Sequence, residues 1–335
     1  MTAPFQTLDA FRSLIAELPG PDADALEAAR ARNARLVKPV GALGRMEDLA
    51  IWYAGWRGSE VPVVDQPQIV IFAATHGVAE RGISAHRAAA TREMVENFAL
   101  GGAAINQLAQ SVRAMLQMVE LELDHPSQDI SAGPALSEED LLAALRRGWD
   151  AVNPHADLLV PGDMAVGNTT CAAAMAAALY GGDPARWVGK DGAMDDAALA
   201  RKVELVETAL RQQPDATSAD PLKVLQGLGG RDIAAMTGAI VAARAQGTPV
   251  ILDSYACCAA AAVLAALDPA AIDHVVAGQQ GAEPGQGLLL EKLGLEPLLS
   301  LGLNMGEGCG GALAIGVIRS AVACHAGMIE REEVI

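Results

Sequence analysis

Apolar positions recur at helical spacing through roughly the first sixty residues, and then the rhythm changes. Residues 23–36 read as a helix with Asp22 or Asp24 placed to cap it, and 46–56 as a second. Beyond them, short apolar runs predict buried strands at 68–74, 115–123, 156–160, 249–252, 274–277 and 297–301. Helical stretches fall between them at 91–109, 138–151, 169–179, 197–211, 232–245, 255–267 and 283–293. Strands separated by crossovers of this length pair in parallel. The pattern therefore predicts an α/β fold with a doubly wound six-stranded parallel sheet. A last segment, 309–326, is apolar on most faces and has to be buried. With the N-terminal helices it would complete a smaller helical subdomain. The division expected is 1–60 (helical), 61–302 (α/β core) and 303–335 (a loop and the C-terminal helix). No linker divides the chain and no internal repeat is visible.

Composition narrows the function. Alanine and glycine are abundant while aromatics make up 3%, which favours helices packed closely on a sheet. The formal charge of −17 would repel a nucleic acid unless a basic stripe met it, and none is present. Arg30, Arg32, Arg35 and Lys38 alternate along a helix and read as a solvated face. Small anions stay within reach, because backbone N–H groups can hold them. Five cysteines without a C-x-x-C pattern point to buried thiols in a reducing compartment, and the scattered histidines give no zinc spacing. The N-terminus lacks a cationic segment leading into an apolar run. The longest apolar stretch, 255–267, is too short to cross a bilayer. The expectation is a cytoplasmic protein with no membrane, nucleic-acid, metal or cofactor partner.

In a sheet of this kind, ligands bind beyond the carboxyl ends of the strands, so the loops that follow strands carry the chemistry. The loop from Gly162 to Thr170 opens a helix with Asn168, Thr169 and Thr170, which suits a phosphate but is also an ordinary N-terminal cap. It is neither a Walker loop nor a GxGxxG turn. Gly306-Glu307-Gly308 sets a carboxylate between glycines ahead of a buried helix. It reads either as a complement to the helix dipole or as a general base against which a flat ligand can lie. His76 reads as structural, and Asp195 and Asp196 as helix-capping acids.

Several segments occur together in one order: Lys38-Pro39-Val40-Gly41-Ala42-Leu43-Gly44-Arg45, His76-Gly77-Val78, Met94-Val95-Glu96-Asn97-Phe98, Gly167-Asn168-Thr169-Thr170, Asp220-Pro221-Leu222, Glu283-Pro284-Gly285 and Gly306-Glu307-Gly308. In this order and spacing the chain resembles the nicotinate-nucleotide:dimethylbenzimidazole phosphoribosyltransferase family over residues 6–325. The resemblance implies a Rossmann-like six-stranded sheet, a homodimer and a metal-free reaction. In that reaction dimethylbenzimidazole displaces nicotinate from nicotinate mononucleotide, giving α-ribazole phosphate for cobalamin. It implies Glu307 as catalytic base. It places Asp163, Gly167, Asn168, Thr169, Gly192, Lys202, Glu283 and Gly306 on the nucleotide, and Thr75, Ser84, Glu93, Met94 and Met305 on the base.

The chain also departs from the family pattern. Thr75, Glu93, Asp163, Ala165, Asp191, Ala193, Gly281, Gln286, Asn304, Cys309 and the His86-Arg87 pair stand where other residues are usual. Asp191 adds a negative charge and Asn304 removes a cation near expected anions. Two other readings therefore stand beside the usual reaction: the same fold with a changed acceptor or donor, or a non-catalytic paralogue that binds ligand.

Overall fold

The computed structural model describes residues 2–190, 194–213, 215 and 220–331. Three helices open the chain: α1 (Leu8–Ala16), α2 (Ala23–Arg35) and α3 (Arg45–Arg57). Strands β1 (Pro67–Ala73), β2 (Met115–Glu120), β3 (Leu158–Met164), β4 (Val250–Leu252), β5 (Val275–Gln279) and β6 (Pro297–Leu299) form one parallel sheet, ordered β2-β1-β3-β4-β5-β6. The six-stranded parallel α/β fold expected from the periodicity is the one observed. Strand order reverses between β1 and β3. The crevice at their carboxyl ends is thus where a ligand is expected.

Every residue of β1 and β3 is buried, because helices cover both faces. On one face lie α3, α4 (Ala90–Ala99), α5 (Ala104–Ser111) and α13 (Cys309–Gly327), packed on Ile69, Ile71, Val160 and Ile251. On the other lie α6 (Glu138–Ala151), α7 (Asn168–Tyr180), α8 (Asp196–Gln212), α9 (Pro221–Leu228), α10 (Arg231–Ala245), α11 (Tyr255–Leu267) and α12 (Pro284–Leu293). Helix α1 joins this second face through Phe11 and Ile15.

Several sequence expectations need correction. The helix expected over 91–109 is two helices. Gly101, at φ +76°, turns the chain after α4, and the Gly102 N–H returns to the Asn97 carbonyl at 2.9 Å. Strand β3 runs on to Met164 instead of ending at 160, although Pro161-Gly162-Asp163 looks like a turn. Pro161 is tolerated because β4 pairs with β3 only at Leu159, so the edge it faces needs no further donor from it.

Helix α9 escaped notice because eight residues give little periodicity. Residues 255–267 form a helix too short to cross a membrane, as expected, but among the described residues α13 is one apolar helix long enough by length and composition. It is packed as the layer over the sheet. The basic row is a solvated face only at Arg30 and Arg35. Arg32 donates to the His325 and Ala326 carbonyls at the end of α13, and Lys38 forms a 2.7 Å pair with Glu47 in which both side chains are largely buried.

Helices α6 and α10 approach so closely that glycines face the opposing backbones. A Cβ on Gly148 would fall on the Ala235 carbonyl, and one on Gly238 on the Leu145 carbonyl. Gly148→Val should therefore destabilise the fold by about 3 kcal/mol, the upper range for overpacking. The readout is a lowered urea midpoint at unchanged denaturant slope. A midpoint equal to wild type would show that the helices part without cost.

Candidate active site

Beyond β3 the sheet is continued by a turn rather than a strand. The Asp163 N–H donates to the Gly306 carbonyl at 3.1 Å, on the edge of β3 that β4 leaves vacant. Gly162 has no side chain to hold the turn away: a Cβ there would lie 2.8 Å from the Gly308 nitrogen. Gly308 takes φ +81° to start α13. Glu307, between these contacts, is 7% exposed and faces a cavity of about 510 Å³. Burial alone pushes its carboxyl above the usual range.

The cavity lies at the carboxyl ends of β3, β4 and β5, with α4 along one side, rather than in the crevice between β1 and β3. The start of α7 forms part of its wall through Gly167 (φ +98°), Asn168 and Thr169. Helix α7 thus turns its N–H groups and positive dipole end to the cavity, a suitable seat for an anion. Lys202 is 1% exposed and stands behind this wall. Its ammonium reaches Thr169 Oγ1 at 2.9 Å, the Gly189 carbonyl at 3.0 Å and Glu283 Oε1 at 3.4 Å. It ties the start of α7 to the start of α12.

Beneath the cavity floor a polar chain runs into the core. Asn168 Nδ2 donates to Asp163 Oδ2 at 2.6 Å and to Asp232 Oδ2 at 3.1 Å. Asp232 Oδ1 lies 3.1 Å from His76 Nε2, and both side chains are wholly buried. The Asp232 charge holds the His76 imidazolium pKa above its ordinary value, against the burial that opposes it. Asp163 also accepts from Ser254 Oγ. Its carboxyl rises to about 7, chiefly by burial and then by the Asp232 charge.

Asp253, at the end of β4, is fully buried and rises to about 6 by burial. The N–H groups of Gly311, Gly308 and Gly310 hold it from rising further. Among the described residues no cluster of three His, Cys, Asp or Glu could hold a metal ion.

A family profile described as phosphoribosyltransferase matches residues 18–334. A nicotinate-nucleotide–dimethylbenzimidazole phosphoribosyltransferase from Ruegeria pomeroyi is 56% identical over 318 residues, covering 95% of this chain and 94% of its own length. The chain belongs to the nicotinate-nucleotide–dimethylbenzimidazole phosphoribosyltransferase family. A member from Cereibacter sphaeroides is 52% identical over 328 residues, 98% of this chain and 97% of that one. The fold matches the crystal structure of the Thermus thermophilus member with a TM-score of 0.86. Identity there is 34%, with 93% of this chain and 98% of that chain covered.

Of the residues that the family resemblance singled out, Glu307, Asp163, Gly167, Asn168, Thr169, Glu283, Gly306, Glu93, Met94 and Met305 all line the cavity. Lys202 lies one layer back. Thr75 and Ser84 are not on the lining: Thr75 donates its hydroxyl to the Leu123 carbonyl at 3.2 Å, and Ser84 Oγ accepts from the His86 N–H at 3.1 Å. Gly192, with Asp191 and Ala193, lies outside the described residues. Asp253, Ser254 and Gln279 fall in segments that follow predicted strands but carried no assigned role, and Asp232 was passed over. The first two directly follow β4, which was a signal in itself. Asp232 gave none, since an acid in the first turn of a helix is commonplace.

The raised carboxyls set a pH dependence. With pKa values of about 7 for Asp163 and about 6 for Asp253, the folded chain holds protons that an unfolded carboxyl, near ~4, has released. Their contribution is present at low pH and is lost as pH rises through this window. His274 and His325, both lowered by burial, act in the opposite sense, so the difference between variants is the useful quantity. The melting temperature of Asp163→Asn relative to wild type should rise between about pH 5 and about pH 8. A constant difference would show that Asp163 titrates normally.

Proposed function

We propose that the chain catalyses phosphoribosyl transfer from nicotinate mononucleotide to dimethylbenzimidazole, giving α-ribazole phosphate and nicotinate, with Glu307 as the general base. The observation that carries this reading is the placement of Glu307: a buried carboxylate on a backbone turn, lining a cavity that the N-terminus of helix α7 also lines. One imidazole nitrogen of the acceptor attacks the anomeric carbon, and the sugar configuration inverts. The bond to the pyridinium nitrogen breaks and its electron pair neutralises the departing ring. The proton on the acceptor's other nitrogen passes to Glu307.

No metal is needed for this balance. What remains is to hold two flat rings about the ribose. The start of α7, with Gly167, Asn168 and Thr169, receives the phosphate, and Lys202 supports it from behind. Asp163, Glu283, Gly306 and Gly192 complete the nucleotide side. Glu93, Met94 and Met305 face the acceptor; Thr75 and Ser84, which the resemblance also assigns to it, lie off the cavity lining. The resemblance carries a homodimer with it. A cytoplasmic setting accords with the five cysteines remaining as thiols.

Purified protein incubated with nicotinate mononucleotide and a panel of benzimidazoles, purines and phenols tests the reading, with product followed by mass spectrometry. Transfer to dimethylbenzimidazole should fall by about 10²–10⁴-fold in Glu307→Gln. The wild-type rate should decline as pH drops through the raised Glu307 pKa, because only the ionised carboxylate accepts a proton. Equal rates in the two proteins would remove Glu307 from the chemistry. Turnover confined to another acceptor would reassign the substrate.

A further inference from the structure

The two residues that leave β4, Asp253 and Ser254, hold the Glu307 turn at both ends. On one side Asp253 Oδ2 accepts the Gly308 N–H at 2.8 Å, while Oδ1 accepts the Gly311 N–H at 2.8 Å and Gln279 Nε2 at 3.2 Å. On the other side Ser254 donates to Asp163, whose own N–H holds the Gly306 carbonyl. Helix α13 begins on Gly308, which has no side chain to cap it, so its first N–H groups are satisfied by an acid from a different strand.

We propose that Asp253 is a positioning residue for the transfer reaction, fixing through the Gly308 and Gly311 N–H groups the backbone that presents Glu307 to the cavity. The proposal rests on the reading of Glu307 as the base. Asp253 meets neither solvent nor substrate: it is 0% accessible and is not on the cavity lining. Both of its oxygens face N–H donors. An asparagine in the same place has one oxygen and one NH2, and in either orientation it sets a donor against a donor. The lost contact frees one end of the turn without altering side-chain volume.

The experiment compares wild type, Asp253→Asn, Glu307→Gln and the double variant for kcat and KM with nicotinate mononucleotide and dimethylbenzimidazole, scaled to folded protein by thermal unfolding. For Asp253→Asn, kcat per folded molecule should fall roughly 10²-fold, with both KM values within about twofold of wild type. The double variant should be no slower than Glu307→Gln alone, since a residue that acts through Glu307 has nothing left to act on. A merely structural cap would lower the melting temperature, leave kcat per folded molecule at the wild-type value and overturn the proposal. A double variant slower than Glu307→Gln by the whole Asp253 factor would overturn it too. Glu307→Gln at the wild-type rate would instead sink the base reading, and this proposal with it. Should Asp253→Asn fail to fold, Asp253→Glu keeps both acceptor oxygens for the Gly308 and Gly311 N–H groups but shifts by one methylene the turn that they hold. Reduced kcat at unchanged KM then supports the proposal, and wild-type kcat overturns it.

Discussion

Backbone hydrogen bonding at the carboxyl end of β3 is the constraint on which the site depends. A strand in the middle of a sheet has to satisfy two edges, yet β4 pairs with β3 at one residue only. The vacant edge is filled by the Gly306 carbonyl, and filling it brings the turn that carries Glu307 onto the sheet. Glycine at 162, 306 and 308 lets this happen, since each side chain added there would meet backbone or a carboxylate, or force a left-handed conformation on a residue that resists it. The geometry of the Glu307 turn is thus a by-product of completing the sheet.

Its cost is a cluster of buried acids. Asp163, Asp232 and Asp253 stand close enough for Asp232 and Asp253 to raise Asp163, and only amides, one serine and one imidazolium offset their burial. Such groups lower stability relative to an apolar core, but once fully hydrogen-bonded they admit few alternative arrangements. Asn168 shows why: with its amide nitrogen shared between two carboxylates, its orientation at the mouth of α7 is determined. The polar chain exchanges stability for definition at the cavity wall formed by the start of α7.

Periodicity made the sheet and most helices legible, because buried strands and long crossovers leave strong patterns. It failed where local chemistry and tertiary pairing disagree. Pro161-Gly162-Asp163 has the composition of a turn and is a strand, because its neighbours are a fully paired β1 on one side and a vacant edge on the other. Glu307 was legible as a candidate but remained balanced against a dipole-capping role until the family pattern was considered. The cap turned out to be Asp253, 55 residues earlier in the chain. No local reading can find a partner across that separation.

The position of α13 in chain order has a consequence for biogenesis. All six strands precede it, so during synthesis the sheet can assemble while the face formed by Ile69, Ile71, Val160 and Ile251 still lacks its main cover. The same helix that closes this face also delivers Glu307. A nascent chain whose α13 has not yet docked therefore has an open apolar face and a Glu307 turn without its Asp253 anchor, and the two deficits end together. Closure of the core and placement of the Glu307 turn are one event in this fold.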